Sequence, residues 1–214
     1  MYPLETGEYR TLCAAGADGV TIYQETYDRA RYAELHPAGK KRDYDYRYNA
    51  PARIAEAGIR HIGIGPLLGL ADWRTDIPAV FGHLRGLERA YPGVEYSLSF
   101  PRIQKIDEHD YQVVSDADLV RIMCIARILF PRVGINLSTR ESARFRDNAA
   151  PLAATRLSAG SVTAVGGYAR KSAGRTPQFP VSDDRSPAEI RAMLGGKGFD
   201  PVLTDWRRIS CERI

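Results

Sequence analysis

The chain has 214 residues, 44% hydrophobic and 26% charged, which excludes a disordered, collagen-like or low-complexity polymer. Its 30 Lys and Arg against 26 Asp and Glu leave a net charge of +4 spread along the chain, a pattern that argues against a nucleic-acid partner. No apolar stretch approaches a membrane span, no secretory leader is evident, and the cysteines at 13, 124 and 211 are too dispersed for a disulfide scaffold or thiolate metal cage, so a cytoplasmic protein without a membrane partner is expected.

Candidate helices and strands alternate. Met1-Tyr2-Pro3 reads as the end of a strand whose beginning is absent. Thr6 caps a helix through Tyr9, Leu12 and Cys13 that stops at Gly16, and Gly19 to Tyr23 (GVTIY) reads as a buried strand. Tyr44 to Tyr48 mixes rings and charges, as a single-strand binder does, but the spacing favours a half-buried helix start. Asn49, with Pro51 in the first turn, opens a helix ending at Gly58. His61 to Leu70 is strand-like, Asp76 to Ala90 helical, and Glu95 to Phe100 a strand. Ser115 and Asp118 form a capping box before the helix through Leu119, Ile122, Met123 and Ile125. Val133 to Leu137 is the next strand, followed by a short helix near Asp147 to Ala154 and a weak strand at Arg156 to Ala159. Gly166 to Asp184 reads as a linker, Ser186 with Pro187 and Glu189 starts a last helix closed at Gly195–Gly196, and Phe199 to Trp206 is extended.

This alternation implies an α/β fold with about five parallel strands joined by helical crossovers. A closed barrel of this kind needs eight strands. The chain is therefore either an open sheet covered by its own tail or a partial (β/α)8 TIM-type barrel.

Sites in such sheets gather at the carboxyl ends of the strands. Glu25, Asp72, Arg74, Arg102, Arg140 and Glu141 follow successive strands, and together suit a zwitterionic or carboxylated small ligand. Each also has a plainer reading: Glu25 as a surface acid or ion-pair partner, Arg140–Glu141 as a solvated helix start. His36 and His61 have no second ligand at metal spacing and read as structural. The glycines of GIGPLLGL lack the dinucleotide-loop spacing and can serve close backbone approach instead. No serine or cysteine has a plausible base and orienter.

The segments TIYQETYDRARYAELHPAGKKRDYDYRY, GIGPLLGLADWRTD, SLSFPRI, SDADLV, INLSTRE, SAGS, GGY, QFPVSDDRSPAEI and LTDW follow one another in that order. As a series they resemble the C-terminal portion of 2-iminoacetate synthase, the radical S-adenosylmethionine (SAM) tyrosine lyase of bacterial thiazole and thiamin synthesis. DWRTD and the Thr204-Asp205-Trp206 ending favour that branch over the tyrosine lyase of hydrogenase maturation, whose tail is cysteine-rich.

The resemblance implies a (β/α)8 barrel portion over residues 1–162 and, over 163–214, the extension associated with biotin- and thiamin-synthesis radical SAM enzymes. It implies SAM and a 4Fe–4S cluster as cofactors, L-tyrosine as substrate, 2-iminoacetate and p-cresol as products, and thiazole synthase as a partner. It places Glu25 at the amino end of SAM, Arg47 at the SAM carboxylate, and the stretch with Gly65, Leu67 and Gly69 against adenine. Arg140 or Arg144, with Ser161, falls where the substrate carboxylate is held, and Arg102 is a further rim candidate. The family's CxxxCxxC cluster triad has no counterpart here, and iron–sulfur ligation needs clustered thiolates. The expectation is that the cluster-bearing strands were lost or lie on another chain, leaving this one inactive alone. A split enzyme completed by that chain, and a non-catalytic amino-acid or SAM-binding module docking on thiazole synthase, are the alternatives.

Overall fold

The computed structural model describes residues 2–103, 111–164 and 180–203. Its centre is one sheet of five strands in the order β1-β2-β3-β4-β5, every neighbouring pair parallel. The strands are β1 (Gly19–Glu25), β2 (His61–Pro66), β3 (Glu95–Ser99), β4 (Gly134–Leu137) and β5 (Arg156–Leu157). Each strand lies beside the one before it, so the sheet winds in one direction. That is the topology of a barrel and not of a doubly wound sheet, and the fold is a partial (β/α)8 barrel.

Strand alternation gives the sheet two unlike faces. Val20, Ile22, Ile62, Ile64, Tyr96, Leu98, Ile135 and Leu137 are all buried on one. Against them pack α4 (Ala50–Glu56), α5 (Trp73–Ala90), α6 (Asp116–Leu129) and α7 (Ala143–Ala153), which contribute Ile54, Val80, Leu84, Ile122 and Ala149 to the same core. Burying each large aliphatic side chain is worth about 1.5–3 kcal/mol, so this layer carries most of the stability. The opposite face holds Thr21, Tyr23, Ser97, Ser99 and Asn136, with Gly63 and Gly65 between them. Asn136 Nδ2 donates to Ser97 Oγ at 3.1 Å and Ser99 Oγ at 2.8 Å, tying β4 to β3 across this polar side.

Several boundaries differ from the sequence reading. Residues 2–5 are not in a strand, and α1 (Thr6–Ala14) is capped by Glu5, whose N–H donates to Glu8 Oε2 at 2.8 Å. One helix was not expected, α2 (Arg29–Leu35), capped by Asp28, whereas α3 (Tyr44–Tyr48), capped by Asp43, forms where the sequence spacing favours a half-buried helix start. Helix α2 buries a single residue, so it lacks the apolar stripe that reveals a helix in sequence. A 3₁₀ turn at Lys40–Arg42 lies between them.

β2 ends at Pro66, short of Leu70. Helix α5 starts at Trp73 because Asp72 caps it, accepting from the Arg74 amide at 3.0 Å, so Asp76 is a buried residue of the helix and not its start. Ser142 likewise caps α7, which starts at Ala143, four residues ahead of the expected Asp147. At α6 only half of the expected capping box forms: the Ser115 hydroxyl accepts from the Asp118 amide and itself donates to the Asp118 carboxylate.

The last described part, 180–203, docks on the barrel. Ser182 and Asp183 donate backbone N–H groups to Thr139 O, Gly160 donates to Arg185 O, and α8 (Pro187–Gly196) buries Ile190. Most of the expected 166–184 linker, the GGY segment, the LTDW ending and Cys211 lie outside the described residues.

Candidate functional site

The polar face and the carboxyl ends of the strands meet at one rim. Its geometry begins with an irregularity in β1, where the pairing with β2 slips between Tyr23 and Glu25. Glu25 takes φ +74°, and among the described residues it is the one non-glycine with positive φ. Such a conformation costs about 1–2 kcal/mol and persists only where neighbours over-determine it. Here the Glu25 carbonyl accepts from the Leu67 amide at 2.7 Å. The next residues, Thr26 and Tyr27, are tied to Asp76: the Thr26 hydroxyl and the Tyr27 amide both donate to Asp76 Oδ1, at 2.8 and 2.6 Å.

The Glu25 side chain meets two cations. Arg47 Nη2 and Lys41 Nζ each donate to its Oε1 at 2.9 Å. Arg47, 4% exposed, also donates from Nε to the Tyr23 carbonyl at 2.6 Å, while its Nη1 is buried without a hydrogen-bond partner. The acid and the arginine therefore form one pair. Its remaining capacity is a carboxylate oxygen, Oε2, that accepts no hydrogen bond among the described residues, and an unsatisfied guanidinium nitrogen.

Arg140 stands near this pair. Burial lowers its pKa from the ordinary value, and Tyr23, Glu25 and Glu141 act in the opposite direction. Tyr23 is itself raised by burial, against a hydrogen bond to Ser99. A narrow cleft lined by Tyr23, Ser99, Asn136, Ser138 and Glu141 opens at this end of the sheet.

The other rim candidates separate clearly. Arg102 makes a bidentate pair with Glu141, and its Nη1 reaches Val114 O at 2.9 Å and Asp116 Oδ1 at 2.8 Å, so its donors are already engaged. Arg144 is exposed in the first turn of α7, whereas Arg140 is half-buried at the end of β4. Ser161 is half-buried in the segment after β5. A Cβ at Gly65 would lie 1.9 Å from the Ser99 carbonyl oxygen, so this glycine is required by the approach of β3. Gly69, at φ +105°, accepts from the Gln112 amide at 2.9 Å, and Leu67 is held through Glu25.

Of the histidines read as structural, His36 stacks on Tyr32 and His61 Nε2 contacts Ser97 Oγ at 3.0 Å. No group of three His, Cys, Asp or Glu among the described residues could hold a metal ion. A cavity of about 400 Å³ lies elsewhere, between α7, β5 and α8. It is lined by Leu157, Ile190, Leu194, Phe199 and Val202 together with Arg156, Arg191 and Asp200, and contains none of the rim candidates.

Three contributors were missed in the sequence. Lys41 gave no signal beyond lying in a basic run. Asp76 was taken for a helix start. Arg146 is fully buried and pairs with Asp183, which Arg185 also contacts at 2.7 Å while reaching Asp147 at 2.8 Å. This network fixes the 180–203 segment beside the rim.

A family model described as the Biotin and Thiamin Synthesis associated domain matches residues 99–200, from the end of β3 through α8. Curated 2-iminoacetate synthases of Escherichia coli and Salmonella typhimurium are 42% and 41% identical over 209 residues. Over nearly its whole length this chain is similar to 2-iminoacetate synthases. The match takes in 96% of the chain and 55% of each relative, so the chain spans about half their length. Two solved structures of HydG, one titled a maturase of the FeFe-hydrogenase and the other from Carboxydothermus hydrogenoformans, superpose with a TM-score of 0.84 each. They are 37% and 33% identical, covering 92% and 95% of this chain and 43% and 47% of theirs. Methylornithine synthase (PylB), 20% identical with a TM-score of 0.62 over 93% of this chain and 56% of its own, shares the fold.

Proposed function

We propose that this chain supplies the amino-acid-gripping rim of a radical SAM tyrosine lyase, a 2-iminoacetate synthase that cleaves the Cα–Cβ bond of L-tyrosine to 2-iminoacetate and p-cresol. The observation that carries the reading is the Glu25–Arg47 pair at the end of β1, with Arg140 beside it, in a chain 42% identical to such a synthase over nearly its whole length.

The donor set fits SAM. Its methionyl end carries an ammonium and a carboxylate, and the rim offers a carboxylate oxygen and a buried guanidinium nitrogen with unused capacity. In this reading Glu25 takes the ammonium, Arg47 backs Glu25 and meets the carboxylate, and the stretch with Gly65, Leu67 and Gly69 lies against adenine. Arg140 holds the tyrosine carboxylate, with Ser161 nearby. Its half-buried place after β4 favours it over the exposed Arg144. When bound, SAM supplies the radical chemistry; the protein's part is to orient and shield.

The described residues do not fit a 4Fe–4S cluster, because no set of three thiol, imidazole or carboxylate groups converges. In our reading the cluster is held by strands outside the described residues, on the same polypeptide or on another, and this chain alone is inactive. The product is passed to thiazole synthase in the cytoplasm.

The test is p-cresol formation from tyrosine and SAM under reducing, anaerobic conditions. It compares the chain alone with the chain completed by the cluster-bearing strands of a 2-iminoacetate synthase. Product only from the completed protein is expected. Turnover by the chain alone overturns the division of labour, and a completed, cluster-loaded protein that leaves tyrosine intact overturns the reaction.

A further inference from the structure

Asp76 is fully buried, lies outside the Glu25–Arg47–Arg140 group, and has no part in the reading above. Its surroundings give it a purpose. Helix α5 places Asp76, Val80 and His83 on one stripe, at i, i+4 and i+7, facing the residues that follow β1. Tyr27 is clamped at both ends by this stripe. Its amide donates to Asp76 Oδ1 at 2.6 Å, and its hydroxyl shares a hydrogen bond of 2.9 Å with His83 Nδ1. Thr26 is held by the same Asp76 oxygen, and its hydroxyl accepts from the Asp28 amide at 3.0 Å.

A left-handed conformation at Glu25 needs both sides of the residue fixed. Upstream, Tyr23 is held in β1, and its carbonyl is bonded by Arg47. Downstream, the two bonds to Asp76 are the fixed point. Tyr27 keeps further ties, its hydroxyl to His83 Nδ1 and its carbonyl to the Tyr44 hydroxyl at 3.2 Å, but the bonds to Asp76 are the ones made by the Tyr27 amide and the Thr26 hydroxyl, directly beside Glu25.

We propose that Asp76 is the positioning residue that keeps Glu25 in its left-handed conformation and thereby aims the Glu25 carboxylate into the site. The proposal rests on the functional reading only where it concerns ligand binding. The backbone device stands by itself.

Its test is amide hydrogen exchange at Leu67, which donates to the Glu25 carbonyl at 2.7 Å. Asp76→Ala is expected to reduce Leu67 protection by about tenfold or more, the effect of a buried amide losing its acceptor, while amides in β3 and β4 keep theirs. Asp76→Asn retains an acceptor oxygen and is expected to restore protection. If Asp76→Ala does not fold, Thr26→Val removes one of the two bonds and is read in the same way.

The readout that a merely structural role would not move is the Glu25→Gly background. Glycine adopts positive φ without steric cost, so Asp76→Ala should then have a much smaller effect on Leu67. An equal effect in both backgrounds, or unchanged protection in Asp76→Ala, overturns the proposal. In the completed protein, Asp76→Ala should also weaken SAM binding, with recovery in Asp76→Asn. If Glu25→Gln leaves SAM affinity unchanged, the functional reading fails while the exchange result still decides the backbone device.

Discussion

Gly65 is a residue whose meaning lies in a neighbouring strand. A side chain there collides with the Ser99 carbonyl oxygen, and backbone cannot move aside as a flexible side chain does. Gly65→Ala is therefore expected to destabilise the chain by about 1–3 kcal/mol in urea unfolding, the usual cost of overpacking. His83 gives a pH signature. Burial lowers its pKa from 6.5 to about 4. As pH falls through that window the unfolded chain takes up the proton first. Stability is then full above about 6.5, declines by roughly 3 kcal/mol, and levels off below about 4. Asp76, raised by burial, works in the opposite sense near the carboxylate range. Urea titrations across this range should show the decline, and His83→Gln should flatten it. Glu25 stood out in the sequence because it follows a strand, whereas Arg47, which lies in α3, was singled out only by the family resemblance. The conformation of Glu25 was not legible there, since it depends on an aspartate 50 residues beyond Thr26.

At the level of elements, strands β1 to β4 were readable because each carries β-branched or aromatic residues on one face, and α5 and α6 because each keeps an apolar stripe. Helix α2 was not, for it buries one residue and is placed by its cap. The docking of the 180–203 segment was also invisible. It depends on Arg146 and Asp183, which are 37 residues apart in sequence and both almost fully buried. Arg185 first, then Arg146, hold the Asp183 carboxyl at about 2, below its ordinary 3.8. Asp183→Ala leaves the Arg146 charge buried and unpaired and should cost about 3–5 kcal/mol. The double change Arg146→Met with Asp183→Leu removes both charges and should recover much of that loss. A double variant as unstable as the single one would show that the pair contributes more than mutual neutralisation. Both are measured by thermal and urea unfolding of the full chain.

At the scale of the whole molecule, the five strands form a partial barrel with a helix-covered apolar face and a polar inner face ending in a charged rim. Sequence periodicity gave the parallel sheet, and motif order gave the relationship to 2-iminoacetate synthase. The structure adds that Arg140 is half-buried, Arg144 exposed and Arg102 paired with Glu141. Anaerobic reconstitution of the chain alone with iron and sulfide should yield no 4Fe–4S absorbance, as the described residues present no ligand set. The most direct measurement is equilibrium binding of SAM to the completed protein, comparing the native rim with Glu25→Gln. Loss of about 1.5–3 kcal/mol, or roughly tenfold or more in affinity, is expected for a charge-assisted hydrogen bond. Equal affinity in the two proteins would contradict the account.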